Sequence, residues 1–267
     1  MWIDTHCHLD AHEFGGQSLA QAARAQEHGV GMVVIPAVDR ANFAVVRELA
    51  HKAPNASYGL GIHPIYVPHA VQEDLVFMRE AVAQAMDDPR FVAIGEIGLD
   101  FFIPMLCEPE MREKQVYFLR EQLKIARDFE LPVLCHVRKS QDQVLKHVRQ
   151  VGPAGGIAHA FNGSFQQAQA YIEAGFKLGF GGNLTFTRAL QIRRLAAELP
   201  LSSIVVETDA PDIAPSWVHP GVNTPAEVAG IGEALAGLRS ADPGEVAAAT
   251  TQNALDVMPR LRALMAA

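Results

Sequence analysis

The chain has 267 residues, 49% of them hydrophobic and 19% charged, a globular composition that excludes a disordered polymer. Its formal net charge is −8, from 22 Lys+Arg against 30 Asp+Glu, so any polyanionic partner needs a local basic patch or bound cations. Three cysteines, Cys7, Cys107 and Cys135, make no disulfide framework, and the apolar runs are short and interrupted. The sequence therefore predicts a reduced, cytoplasmic protein with no membrane span, no signal peptide and no obligate protein partner.

In chain order, strands are predicted at 1–6, 31–38, 57–63, 91–98, 131–137, 155–161, 175–182 and 203–210. They are near-continuously apolar and rich in Val and Ile, as strands buried on both faces are. Helical patterns fall between them, at about 17–28, 40–52, 72–87, 110–129, 140–151, 164–174, 187–199 and 224–238. The clearest is 110–129, where Val116, Leu119, Leu123 and Ala126 form one stripe. A last helix is expected after Asp242, a capping residue followed by Pro243. Eight strands alternating with helices predict an α/β fold, a (β/α)₈ TIM barrel in a single domain over residues 1–267. An open doubly wound sheet is the alternative.

The predicted strand ends carry the chemistry. Strand 1 ends in His6 and runs into His8, strand 3 ends in His63 and strand 4 in Glu96. Strands 5, 6 and 8 end in His136, His159 and Asp209. In a barrel all these ends open on one face, so the side chains converge. A single such histidine is more often a hydrogen-bonded structural residue. Even with His63 set aside, four histidines and two carboxylates from five strands are hard to explain that way. Imidazole and carboxylate ligands suit Zn²⁺, Mn²⁺, Fe²⁺, Co²⁺ or Ni²⁺, and Mg²⁺ remains open. Six ligands exceed one catalytic zinc but suit two divalent metal ions ~3.5–4 Å apart.

The segments DTHCHLD, GIHP, AIGEIGLDF, LPVLCHVRKS, HAFNG and ETDAP occur in that order. Together they resemble the TatD family of metal-dependent hydrolases within the amidohydrolase-like barrels, over about residues 3–256. The resemblance implies one metal held by His6, His8 and Asp209, a second by His136 and His159, and Glu96 bridging. It implies that Asp209 orients the attacking water and takes its proton, so Asp209 and Glu96 are the catalytic candidates. His63 and Asp100 match family positions near the substrate, a DNA or other phosphodiester. The implied activity is phosphodiester hydrolysis, mainly as a deoxyribonuclease, including exonuclease action.

Glu207 alternates with Asp209 and is expected to orient a ligand histidine from below. Arg138, Lys139 and Arg188 are the basic residues near the strand ends, with Arg138 favoured for phosphate contact. No Lys or Arg occurs between Leu195 and Leu238, so strand 8 offers no basic track, although Asn223 and His219 remain substrate candidates. That gap supports an alternative function, a small-molecule amide, lactone or phosphoester hydrolase on the same metal pair. A non-enzymatic metal- or nucleotide-binding protein is a third reading, weakened by the intact set of six ligand types.

Overall fold

Short runs of Val, Ile, Leu and Ala form eight parallel strands in a computed structural model, which describes residues 1–265. The strands are β1 (Trp2–Asp4), β2 (Val30–Pro36), β3 (Ala56–Leu60), β4 (Phe91–Asp100), β5 (Val133–Arg138), β6 (Gly156–Ala158), β7 (Phe176–Phe180) and β8 (Ile204–Val206). They pair in chain order, β1 to β8, as a right-handed alternation with helices requires. Between and after them run α1 (Ser18–Glu27), α2 (Phe43–Lys52), α3 (Gln72–Ala85), α4 (Pro109–Asp128), α5 (Gln141–Val151), α6 (Phe165–Glu173), α7 (Leu190–Glu198), α8 (Val228–Arg239), α9 (Pro243–Val257) and α10 (Leu261–Met265). The expected TIM barrel is therefore the observed fold.

Two apolar layers hold it. The larger lies between strands and helices and includes Val33, Ile35, Tyr58, Ile97, Phe118, Leu119 and Leu123. The smaller joins Ile3, Val34, Val92, Leu134, Ile157 and Val205 to Val257, Met258 and Leu261 of the C-terminal helices. Arg260 fixes those helices by donating to the carbonyls of Met86, Asp88 and Phe91, at the start of β4. They thus close the barrel at the end opposite the strand C-termini. Asp242 caps α9 as expected, accepting from the amides of Gly244 and Glu245, with Pro243 in the first turn.

The seam between β1 and β8 is closed by individual bonds around the mouth. The Thr5 amide donates to the Val206 carbonyl (3.2 Å), the Asp209 amide to His6 (2.8 Å) and the His8 amide to Ala210 (2.8 Å). No helix among the described residues is long and apolar enough to cross a membrane.

Candidate metal centre

The strands are shorter than the sequence predicts at the mouth. Glu96 and His136 lie within β4 and β5, but His6, His8, His63, His159 and Asp209 fall just beyond the last residues of their strands. The physical reason is that their backbone leaves the regular ladder to bond the turns that follow the neighbouring strands: the His63 amide donates to Val38 after β2, and Asp209 to His6 after β1. Asp209 itself adopts a left-handed backbone (φ 56°), a conformation that Asp tolerates better than most residues. The convergence of these side chains is unaffected.

Glu96 sits at the centre, 1% exposed, and its two oxygens face different histidines. Oε2 lies 3.2 Å from His6 Nε2 and 3.4 Å from His8 Nε2. Asp209 Oδ1 completes that side, 3.6 Å from both of these nitrogens. Oε1 lies 2.9 Å from His136 Nδ1, 3.3 Å from His63 Nε2 and 3.6 Å from His159 Nε2. His6, His8 and Asp209 bring ligand atoms within 4.8 Å of one another, as do His6, Glu96 and His159, and His63, Glu96 and His136. The set expected for a second ion, Glu96 with His136 and His159, converges on Oε1 more loosely. Those two rings are 5.9 Å apart and fall in different groups.

The remaining ring nitrogens decide which lone pairs are free. His159 Nδ1 lies 3.2 Å from Glu207 Oε1, and His136 Nε2 lies 3.2 Å from Asp100 Oδ2. A carboxylate takes one ring N–H in each case, so His159 Nε2 and His136 Nδ1 are the nitrogens that face Glu96 and could release a proton to become metal ligands. His63 is different. Its Nδ1 accepts the Ile65 amide (3.1 Å), so Nε2 carries the hydrogen and points a donor into the site.

Burial drives His6 down to about 3 and His63 down to about 4. For His8 burial is outweighed by Glu96 and Asp209, which lift it to about 9. For His159 it is outweighed by Asp209, Glu207 and Glu96, which lift it to about 10. Glu96 is likewise held well below the usual carboxylate range, because His63 and His6 overcome its burial. Burial raises Asp209 to about 6. The carboxylates Glu96, Asp100, Glu207 and Asp209 thus gather where imidazoles, rather than Lys or Arg, supply most of the balancing charge. Buried carboxylates need a cation. A divalent ion would take the place of those imidazole protons, and rings such as His136 and His159, each backed by a carboxylate, fit ions that prefer mixed nitrogen and oxygen ligands.

Other expectations are placed as follows. Arg138 ends β5 with its side chain 49% exposed and Nη1 3.8 Å from Asp100 Oδ2. Asp100, expected beside the substrate, is instead fully buried and turned inward. Its Oδ1 accepts from the Phe102 and Ile103 amides, and its Oδ2 faces His136. Asn223 is fully buried and donates to the carbonyls of Thr208 (2.9 Å) and Asp212 (2.8 Å), which fixes the loop after β8. His219 lies edge-on to Phe186, 5.6 Å away, at the outer rim. Cys7 is buried in the apolar layer, away from the ligand atoms. Glu207 takes the place the sequence gives it, beneath His159.

Sequence reading missed two supports on α4. Gln122 accepts the Ile62 amide (2.7 Å) and donates to the Ile62 carbonyl (3.1 Å), which anchors the residue before His63. Gln115 accepts the Asp100 amide (2.9 Å) and donates to Leu106 (2.8 Å). Both lie on the face of α4 that carries Leu119 and Leu123. A polar residue repeated on an apolar stripe was the available signal.

The comparisons agree with this geometry. The family model described as TatD related DNase matches residues 3–259. The "Uncharacterized metal-dependent hydrolase YjjV" of Escherichia coli K12 is 37% identical over 253 residues, which is 94% of this chain and 95% of that protein. Human "Deoxyribonuclease TATDN3" is 29% identical over 268 residues, 98% of this chain and 96% of that protein. The crystal structure of the E. coli YjjV protein superposes with a TM-score of 0.90 at 35% identity, covering 97% of this chain and 98% of that one. With its mouth of histidines and carboxylates and these matches along almost its full length, the chain belongs to the TatD family of metal-dependent hydrolases.

Proposed function

We propose that this hydrolase cleaves phosphodiester bonds in DNA, at a site where Glu96 would help to hold two divalent ions. The observation that carries the reading is the division of Glu96: Oε2 faces His6 and His8, and Oε1 faces His136, His63 and His159. His6, His8 and Asp209 would hold one ion, and His136 and His159 the other. When bound, such ions would supply Lewis acidity and neutralise charge on the scissile phosphate.

The chain's own residues do the rest. Asp209 orients the attacking water and accepts its proton on a carboxylate oxygen. His63 donates its Nε2 hydrogen to a phosphate oxygen, and the Ile65 amide fixes the tautomer that allows it. Arg138 reaches the phosphate from the rim, with a guanidinium that pairs with two oxygens at once. Asp100 acts through His136, and Glu207 through His159. We read the chain as one domain, working in a reducing cytoplasm that keeps its three free cysteines as thiols.

The second reading is a small-molecule ester or amide hydrolase on the same site. It is favoured by the loop after β8, where residues 195–238 contain no Lys or Arg. One experiment separates them: metal-loaded protein is incubated with a labelled single-stranded oligonucleotide and with a panel of small esters, lactones and amides. Oligonucleotide cleavage that is lost in Asp209→Asn supports the first reading. Turnover of the panel alone supports the second.

A further inference from the structure

Beside the metal centre, a groove of about 890 Å³ runs between α4 and the start of α5. Its wall includes Phe101, Arg112, Tyr117, Arg120 and Lys139. We propose that this groove is the track by which a single polynucleotide strand leaves the metal centre, held by phosphate contacts to Arg120 and Lys139 and by stacking at Phe102. The proposal rests on the phosphodiesterase reading and names where its substrate lies beyond the cut bond.

Continuity with the site comes from a series of neighbouring side chains. Asp100 links His136 to Arg138, at 3.2 and 3.8 Å. The Arg138 guanidinium lies 4.0 Å over the Phe102 ring, and Lys139 Nζ lies 4.7 Å from the same ring. Lys139 is already part of the groove wall, and farther along it Arg112 lies 4.4 Å over Phe101. Phe102 is 48% exposed at the mouth, which no packing role requires. An exposed ring stacked with a guanidinium, leading into a groove with cations and a tyrosine, is the chemistry that holds an unpaired strand without reading its sequence.

Charge within the groove favours this side. Three acidic residues also line it, but Lys124 pairs with Glu121 (2.6 Å), so Arg112, Arg120 and Lys139 outweigh Glu113 and Asp142 by one positive charge. The opposite side of the mouth, after β8, lacks Lys and Arg altogether. On that half Arg188 lies 5.7 Å from the Phe186 ring.

The test uses metal-loaded full-length protein and fluorescein-labelled phosphorothioate strands, which resist cutting. Binding of a strand of about a dozen nucleotides is compared with that of a dinucleotide, across a salt series. Arg120→Glu combined with Lys139→Glu is expected to weaken the long strand at least ~10-fold and to spare the dinucleotide. The log-salt slope should flatten by about 0.7 for each phosphate no longer neutralised. Phe102→Ala is expected to weaken the long strand about 5- to 100-fold. These side chains are at the surface, so the melting temperature serves as the folding control, with Lys139→Glu alone as the milder variant. A long strand bound no more tightly than the dinucleotide overturns the proposal. So does a long-strand advantage that survives these changes and disappears in Arg188→Glu. An ordinary oligonucleotide bound through the groove but never cut leaves the track standing and overturns the phosphodiesterase reading. One that is cut by wild type and by the groove variants with equal affinity does the reverse.

Discussion

Thr208 is tied to Asp4 twice: its amide donates to Oδ1 at 2.9 Å and its hydroxyl to Oδ2 at 2.6 Å. The His6 amide adds a third bond to Oδ1 (3.3 Å). All of this is buried, and it joins the first strand to the last at the point where His6 and Asp209 leave them. Thr208→Val keeps the shape and removes the hydroxyl donor from a buried carboxylate. The expected cost is about 2 kcal/mol, or roughly 4–8 °C in melting temperature for a domain of this size. Calorimetric titration of the same variant should show weaker binding of the ion proposed for His6, His8 and Asp209. An unchanged melting temperature would contradict the role given to this pair.

Glu207 reaches His159 because Gly179 leaves room. A Cβ at Gly179 would overlap the Glu207 carboxylate, whose Oε1 accepts the Ala160 amide and faces His159 Nδ1. Gly179→Ala should therefore move Glu207 and free the His159 ring. The expected effect is a roughly 10- to 100-fold loss of affinity for one ion, matched by Glu207→Gln. Calorimetry that resolves the two ions measures it. Equal losses at both would show that the change acts on the fold and not on His159.

Far from the mouth, Asp88 holds the barrel's other end. Its carboxylate takes bonds from His51 (2.8 Å), Arg47 (3.0 Å), Tyr58 (3.0 Å) and the Arg90 amide (3.0 Å). Burial alone would raise it, but these donors overcome burial and hold it at about 2, below the ordinary 3.8. A depressed carboxyl contributes stability that is complete above its unfolded value and lost as pH falls through the folded one. Asp88 should therefore contribute about 2 kcal/mol at neutral pH, fading between about pH 4 and pH 2. Denaturant melts of wild type and Asp88→Asn should differ by that amount near pH 7 and converge in acid. A constant gap across that window would rule the linkage out.

The order of strands and the gathering of histidines and carboxylates at one mouth were legible because each depends on local pattern. Apolar runs of Val and Ile mark strands buried on both faces, and a chain of such units has one common mouth. His6, His8, His136 and His159 stand out as polar residues at the ends of those runs. What was illegible depends on contacts between distant segments. The strands stop short of His63 and Asp209, whose amides bond the turns after the neighbouring strands β2 and β1, which no local pattern records. Asp100 reads as a substrate residue from its motif, yet the Gln115 side chain and the Phe102 and Ile103 amides turn it inward. Likewise, Asn223 looks like an exposed loop amide until the turn after β8 closes around it.

The central claim is that one carboxylate, Glu96, serves two ions. Counting divalent ions per chain by calorimetric titration and elemental analysis, in wild type and in Glu96→Gln, tests it most directly. Wild type is expected to bind two ions, and Glu96→Gln to bind both more weakly, because Oε1 and Oε2 each face one set of histidines. A single ion per chain, or a loss confined to one of two, would contradict it.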